Sequence, residues 1–554
     1  MQTHINAALY QKTIWSCDLM EGFDTSFSMN CKEKVEKLEE KVMTLFIDYE
    51  NGGLITLQLL ELIDDIERMG LGYRFQPDIT RVLSKVASKH YATKEEEEDN
   101  LHAVSLEFRL LRQHGFSVSQ DFLKRFKDTD GGLIGCLHAD VEATLSLYEA
   151  SYLALEGELD LDDAKLIVVK SLLNLNYPNE NDHINHALDV PLYRRMHRLQ
   201  ARWYIDAYGK RKDANQMLLE LAILDFNMVQ SAHKRELQNV SRWWNKIGLA
   251  SKLSFSRDRL MECFFWSVGM VFEPQYYSCR LGLTKVGALI TTIDDIYDVY
   301  GSIDELKIFT DAVKRWDINA MKHMSEVLQV GFLALYNTIN EMGYDTLVAQ
   351  GTNIIPILAK VWGELTEAFF VEAKWNHINY KPTLEDYLDN AWRSVSGVVI
   401  LTHGYFLMNQ DAKKDVTKSS MGKFDNLIKW SSMIFRLYND LATSSDEMDR
   451  GKSVNAISCY MQEHDVCEQV ARKYIKSLID KAWKKMIEAR VACPDDSKDP
   501  FIDMAINLAR ISHCTYQYGD GHGAPDARSK DRVLSVIFEP IREQEHYEPK
   551  LQQQ

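Results

Sequence analysis

Asp294-Asp295-Ile296-Tyr297-Asp298 lies in an apolar, helical stretch, and further along the chain Asn439-Asp440-Leu441-Ala442-Thr443-Ser444-Ser445-Asp446-Glu447 lies in another. Each segment sets hard oxygen ligands on one helical face. At roughly 100° per residue, Asp294 and Asp298 fall nearly above one another, with Asp295 on the flank. Asn439, Thr443 and Glu447, at i, i+4 and i+8, point the same way, while Asp440 and Asp446 turn off that face. Two such faces opposed across a helical barrel would hold magnesium ions, which take carboxylate, amide and hydroxyl oxygens and bridge to phosphates. Each segment alone has a plainer reading. An acidic pair at a helix end is often a cap or a solvated face, and Asn, Thr and Glu at these spacings are common on exposed helices. Together, in this order and each preceded by arginines, they favour a metal site that grips a diphosphate.

The rest of the chain bounds that reading. At 554 residues it is too long for one ordinary core, and two domains are expected. An apolar content of 45% with 26% charged residues suits large globular cores. No run of roughly 18 apolar residues is present, so no membrane span is expected. The net charge of −17 argues against a polyanion surface as main partner, so an anionic substrate needs a local cationic and metal site. Nine cysteines, spread out and odd in number, suit a reducing compartment. Glycine (27) and proline (11) are scarce and helical periodicity dominates, as in Ala143 to Leu155 and Leu218 to Val229. The fold is therefore expected to be all-α. Loops are marked by Asn51-Gly52-Gly53, Glu95 to Asp99, Asp130-Gly131-Gly132 and Tyr177 to Asn181. The domain boundary is placed near Leu219, giving residues 1–218 and 219–554, with both metal motifs after it.

These motifs resemble those of the plant class I terpene synthases, and the resemblance covers nearly the whole chain. The first motif is similar to the family's aspartate-rich motif and the second to its N-S-E/D-T-E motif. Supporting matches are Ser241-Arg242-Trp243-Trp244, Arg257-Asp258-Arg259, Phe272-Glu273-Pro274-Gln275-Tyr276 and Gly519-Asp520-Gly521. The first half matches at Leu192-Tyr193-Arg194-Arg195 and Ala201-Arg202-Trp203-Tyr204-Ile205-Asp206-Ala207-Tyr208. The resemblance implies two helical domains: an N-terminal relict α-barrel that supports and partly closes its neighbour, and a C-terminal class I α-bundle that holds the active site. Asp160-Leu161-Asp162-Asp163 fits the D-x-D-D pattern of class II cyclases, but in its context it reads as the acidic first turn of a helix.

By the same resemblance, Asp294, Asp295 and Asp298 hold ions on one wall, and Asn439, Thr443 and Glu447 hold a further ion on the other. Three magnesium ions are implied, with manganese able to substitute. Arg257 and Arg259 match a diphosphate-guarding arginine pair, and Arg436, one turn before Asn439, matches a diphosphate-binding arginine. For each arginine the plain alternative is a salt bridge. Arg393, heading Arg393-Ser394-Val395-Ser396-Gly397, is similar to a diphosphate-sensing arginine of bacterial relatives. Trp266 matches an active-site tryptophan of the family and Tyr516, one turn before Asp520, is a second candidate to face the carbocation, a contact worth about 0.5–2 kcal/mol. Ordinary core packing is their alternative. Asp520 matches the C-terminal rim of the site, where His522 stands in place of the family's usual aromatic.

The tandem arginines that precede the N-terminal tryptophan of cyclising relatives are absent, with Ile5 and Asn6 standing there if that tryptophan is Trp15. By the resemblance, this absence points toward acyclic products or toward sesquiterpenes. The expectation is a magnesium-dependent synthase acting on geranyl or farnesyl diphosphate and releasing an acyclic alcohol such as linalool or nerolidol. A terpene hydrocarbon is the alternative, and a non-enzymatic helical scaffold a remote one. A monomer or weak homodimer is expected, with no nucleic-acid partner, in the cytoplasm, or in a plastid if a leader was removed.

Overall fold

The computed structural model describes residues 10–16, 20–22, 31–51, 57–92, 100–127, 140–174, 181–408, 421–449, 454–493 and 499–542. Every element among them is helical, as the periodicity predicts. Ile5, Asn6, the Glu95–Asp99 run and most of the expected loops lie outside the described residues.

The first half is built from α1 (Lys32–Asn51), α2 (Leu57–Arg68), α3 (Gln76–Ala92), α4 (Leu101–Gln113), α5 (Val141–Ser151), α6 (Leu159–Asn174), α7 (Asn181–Asp189) and α8 (His197–Gly209). Successive helices pack on one another, α4 on α5 and α5 on α6, while α2 also meets α8. Asp160 and Asp162 stand in the first turn of α6. Asp160 pairs with Lys127 at 2.6 Å, Asp162 with Lys484 of the second half at 2.6 Å, and Asp163 is exposed. This acidic string therefore packs helix ends and the domain seam, with no enclosed acid.

The 32-residue α9 (Gln216–Ile247) crosses the expected boundary. Asn215 caps it by accepting from Met217 N and Leu218 N, and Gly248 ends it in the left-handed conformation that favours glycine. One face of α9 meets α1 and α8, and another meets the helices of the second half, so it serves both cores.

The second half comprises α10 (Leu260–Met270), α11 (Tyr277–Asp295), α12 (Ile303–Arg315), α13 (Glu326–Gln350), α14 (Ile355–His377), α15 (Leu384–Ser394), α16 (Gly397–Met408), α17 (Asp425–Asp449), α18 (Ala456–His464), α19 (Glu468–Val491), α20 (Pro500–Tyr516) and α21 (Ala527–Val533). Helices α10, α11, α14, α16, α17 and α20 form a barrel of neighbours. The seam between the halves is polar. Arg194 meets Asp480 at 2.7 Å, Arg510 donates to Tyr193 O at 2.7 Å, and Arg202 donates to Ser535 O at 2.7 Å. The Leu192-Tyr193-Arg194-Arg195 motif thus belongs to this seam.

Candidate active site

The barrel encloses a cavity of about 240 Å³ with two unlike ends. At its mouth, Asp294 and Asp298 stand on one wall and Asn439 and Thr443 on the other. Helix α11 ends at Asp295, and Ile296–Tyr300 continues as a π-turn, closed by Gly301 N bonding to Ile296 O at 2.9 Å. A π-turn is wider than an α-turn and is frequent at functional sites. A uniform α-period over the first motif was therefore incorrect in detail, yet both Asp294 and Asp298 still reach the cavity. The Ser302–Glu305 capping box starts α12 immediately afterwards and fixes where the π-turn stops.

The three aspartates differ in environment. Asp294 and Asp298 line the cavity, and the Asp294 side chain is 32% exposed. Asp295 is fully buried and accepts from Arg257 N at 2.7 Å, Arg257 Nε at 2.9 Å and Ser256 Oγ at 3.2 Å. It anchors Arg257, whose Nη2 reaches Asp294 at 2.6 Å. Burial opposes the guanidinium charge, but Asp295 and Asp294 hold the Arg257 pKa well above its ordinary value. Arg257 is thus a fixed cation on the cavity wall, with the ring of Tyr10 stacked at 5.0 Å from its Cζ.

On the opposite wall, α17 carries Arg436, Asn439 and Thr443 on one face. Arg436 donates to Asn439 Oδ1 at 3.0 Å, Ser394 Oγ at 3.0 Å and Ala391 O at 3.1 Å. Thr443 donates to Asn439 O at 3.0 Å, which holds its hydroxyl against the helix beside Asn439. Asp440 is turned off this face as the spacing predicts, buried against Tyr387 Oη and Ala456 N. Glu447 falls within the helical span of α17, but its side chain lies outside the described residues.

Arg259 is placed differently from its expected partner Arg257. It is 2% exposed and absent from the cavity wall, and its guanidinium donates to four carbonyls: Asp258 O, His522 O, Gln11 O and Gly523 O. It ties the N-terminal residues 10–16 and the 519–523 turn to α10. Arg393 also stays off the wall. It is 43% exposed and turned back onto Asp389 and the Trp392 ring. It precedes a break between helices: α15 stops at Ser394 and Ser396 takes a left-handed φ of 74° beside the cavity.

Beyond the mouth the cavity is aromatic. Trp266 lies 4.8 Å from Phe435 and 6.0 Å from Tyr516, ring centre to ring centre. Burial pushes the Tyr516 phenol above its ordinary pKa, so it stays neutral. Asp520 accepts from His522 N and Gly523 N and so shapes the rim. Several wall residues escaped the sequence reading, among them Tyr10, Phe435, Tyr387 and Glu372. Glu372 is buried on α14, accepts from Ser394 Oγ at 2.5 Å, and burial raises its pKa. Nothing in its local sequence distinguishes it from an ordinary helix-surface glutamate. Only the approach of α14 to the π-turn brings it to the mouth.

The donor set fits a hard divalent cation. Carboxylate, amide and hydroxyl oxygens face one another across a mouth that carries two arginines, with no sulfur and no imidazole among Asp294, Asp298, Asn439 and Thr443. The His102, Glu61 and Glu142 group in the first half is a separate surface cluster with His102 Nε2 3.4 Å from Glu61.

Two family descriptions match the chain: the N-terminal domain of terpene synthases over residues 14–188, and the terpene synthase family's metal binding domain over residues 245–485. An (E)-beta-ocimene synthase, chloroplastic, from Matricaria chamomilla var. recutita is 66% identical over 98% of this chain and 92% of its own length. The crystal structure of isoprene synthase from grey poplar leaves (Populus x canescens), in complex with three Mg2+ ions and dimethylallyl-S-thiolodiphosphate, is 46% identical. It covers 96% of this chain and 99% of its own, with a TM-score of 0.84. A limonene synthase structure with 2-fluorolinalyl diphosphate is 38% identical, covering 96% of this chain and 99% of its own, with a TM-score of 0.89. The site geometry, both matched domains and these full-length relatives agree, and the chain belongs to the terpene synthase family, as a lyase acting on prenyl diphosphates.

Proposed function

We propose that this enzyme converts geranyl diphosphate to an acyclic terpene hydrocarbon of the ocimene type, with magnesium as cofactor, in a plastid. One observation carries the reading: an oxygen-lined, arginine-flanked mouth opens onto an aromatic cavity. The 66% identity to an ocimene synthase favours a hydrocarbon over the alcohol expected from the sequence, since a hydrocarbon needs proton loss and an alcohol needs water. That relative's chloroplast location favours a plastid over the expected cytoplasm. No helix among the described residues is long and apolar enough to cross a membrane.

Asp294, Asp298, Asn439 and Thr443 are the residues we assign to hold magnesium, with Glu447 from the sequence motif. Three ions, as in the isoprene synthase complex, are the expected number. Bound magnesium would supply Lewis-acid charge neutralisation to the leaving diphosphate. Arg257 and Arg436 face the same mouth from opposite walls, and their planar forks suit bidentate phosphate contacts. Asp295 acts through Arg257 by fixing its position. Trp266, Phe435 and Tyr516 offer neutral π-faces to the cation once the carbon–oxygen bond breaks, and they exclude water from it. Arg259 and Asp520 serve this reaction by holding the rim closed. We propose a division near residue 219, which lies inside α9 and between the two matched family domains. A monomer or weak homodimer is proposed with it.

The test is product analysis by gas chromatography–mass spectrometry, with dimethylallyl, geranyl and farnesyl diphosphate offered in turn, with and without magnesium. The reading expects a linear C10 hydrocarbon from geranyl diphosphate only when magnesium is present. A dominant alcohol, or isoprene as the main product at matched substrate concentrations, would refute the product assignment while leaving the family intact.

A further inference from the structure

We propose that Glu61, His102 and Glu142 form a zinc site that ties three helices of the first half together, apart from the magnesium mouth of the barrel.

Helix α4 packs on both α2 and α5, and each of the three contributes one side chain. Asn100 caps α4 by accepting from Ala103 N, and Asp140 caps α5 by accepting from Ala143 N. These caps put His102 and Glu142 in the first turns of their helices, and Glu61 meets them from the second turn of α2. His102 Nε2 stands 3.4 Å from Glu61 Oε1 and 3.9 Å from Glu142 Oε1. All three ligand atoms lie within 4.8 Å of one another. Ligand atoms about 2.1 Å from a zinc ion stand roughly 3.4 Å apart at tetrahedral angles. The Glu61 side chain is 42% exposed and that of Glu142 73%, so both carboxylates can swing in to complete the set.

The imidazole carries the argument. Its Nδ1 lies 2.7 Å from Ser146 Oγ, one turn beyond Glu142 on α5. A metal-bound histidine is oriented in this way, by a partner on its other nitrogen. Nε2 is buried, makes no hydrogen bond, and has the two carboxylates as its near neighbours at the distances above. The far end of the same helix pair shows an ordinary contact: His114 Nε2 and Glu67 Oε1 close to 2.6 Å, a full hydrogen bond. His102 and Glu61 stop instead at the spacing of two ligands around one ion. Among the described residues neither Glu61 nor Glu142 pairs with a lysine or arginine, so two carboxylates surround one imidazole. That donor set suits zinc, whereas magnesium takes oxygen ligands. The plain alternative is an imidazolium shared by two carboxylates.

The test is equilibrium dialysis of the full-length protein against zinc with magnesium in excess, read as zinc bound per chain, beside thermal unfolding. Wild type is compared with Asp298→Asn, His102→Gln, Glu61→Gln and Ser146→Ala. The proposal expects zinc to bind wild type and Asp298→Asn alike, and to raise the unfolding transition of the first half. Affinity should fall by about a hundredfold or more in His102→Gln and Glu61→Gln, and by about tenfold in Ser146→Ala, whose role is to orient the ring. Magnesium-dependent turnover of geranyl diphosphate should stay near that of wild type in these three. If His102→Gln fails to fold, Glu61→Gln, altered at a half-exposed side chain, carries the test. Zinc held as tightly by the Glu61 variant as by wild type would overturn the proposal. So would zinc lost only in Asp298→Asn, which would place the ion at the barrel mouth. A wild type that retains no zinc would overturn it as well and leave His102 as the imidazolium of an ion pair.

Discussion

At the scale of single residues, side chains of the same type do different jobs because their surroundings differ. Asp294 and Asp298 face the cavity, whereas Asp295, between them, is buried and spent on Arg257. The sequence pattern named all three as ligands because periodicity reports a face, and Asp295 sits on its flank. Asp298→Asn is therefore predicted to lower the rate of diphosphate release by about a hundredfold or more, as loss of one metal carboxylate does in sites that depend on Lewis-acid charge. Asp295→Asn should lower it less and weaken the magnesium dependence less. Steady-state kinetics across a magnesium titration separates the two. Glu262 gives a pH prediction. Burial raises its carboxyl from 4.5 to about 7, and its Oε2 has no hydrogen-bond partner. A carboxyl raised by folding contributes stability that is complete below about 4.5 and lost as pH climbs through about 7. Glu262→Gln removes that ionisation, so its melting temperature relative to wild type should rise between pH 5 and pH 8. A difference that stays flat across this range would show that Glu262 does not titrate there.

At the scale of elements, the site depends on where helices stop. The α11 terminus and its π-turn, the left-handed break at Ser396 and the clamped 519–523 turn each point something into the cavity. Serines and a glycine in the Ser394-Val395-Ser396-Gly397 run suit the helix break found there. The partner of this run was not legible, because contact between α16 and α17 is a tertiary fact. A Cβ at Gly397 would lie 3.1 Å from Ser432 Cα and closer still to its side chain. Gly397→Ala should push α17, which carries Arg436 and Asn439, away from the break. Overpacking of this kind costs about 1–3 kcal/mol, and the turnover rate should fall by more than the melting temperature suggests. Calorimetry beside kinetics on the same preparation checks this. Equal activity with an unchanged melting temperature would mean the two helices yield without consequence.

At the scale of the whole molecule, the helical class and the meeting of Asp294, Asp298, Asn439 and Thr443 at one cavity were legible in the sequence because each rests on local period or spacing. The aromatic partners Phe435 and Tyr387, the carboxylate of Glu372 and the reach of Tyr10 to Arg257 were not, because they join elements far apart in the chain. The surroundings of Arg259 were not legible for the same reason: its spacing from Arg257 is local, but the carbonyls that accept from it come from residues 11, 522 and 523. The halves are joined by buried polar contacts, so the first half is expected to stabilise the second. Arg510→Met leaves Tyr193 O without its donor and should destabilise the folded chain by about 1–3 kcal/mol, read as earlier thermal unfolding. An unchanged transition would mean the seam carries no stability at this point.

The central claim is that the two helix faces hold metal only together with a diphosphate. The most direct measurement is the melting temperature of wild type and Asp298→Asn with magnesium, with inorganic diphosphate, and with both. A ligand set that binds only the folded state raises the transition in proportion to its occupancy. Wild type should show a rise when both are present, well beyond the sum of each alone, and Asp298→Asn little or none. Equal protection by diphosphate without magnesium, or an undiminished rise in the variant, would contradict it.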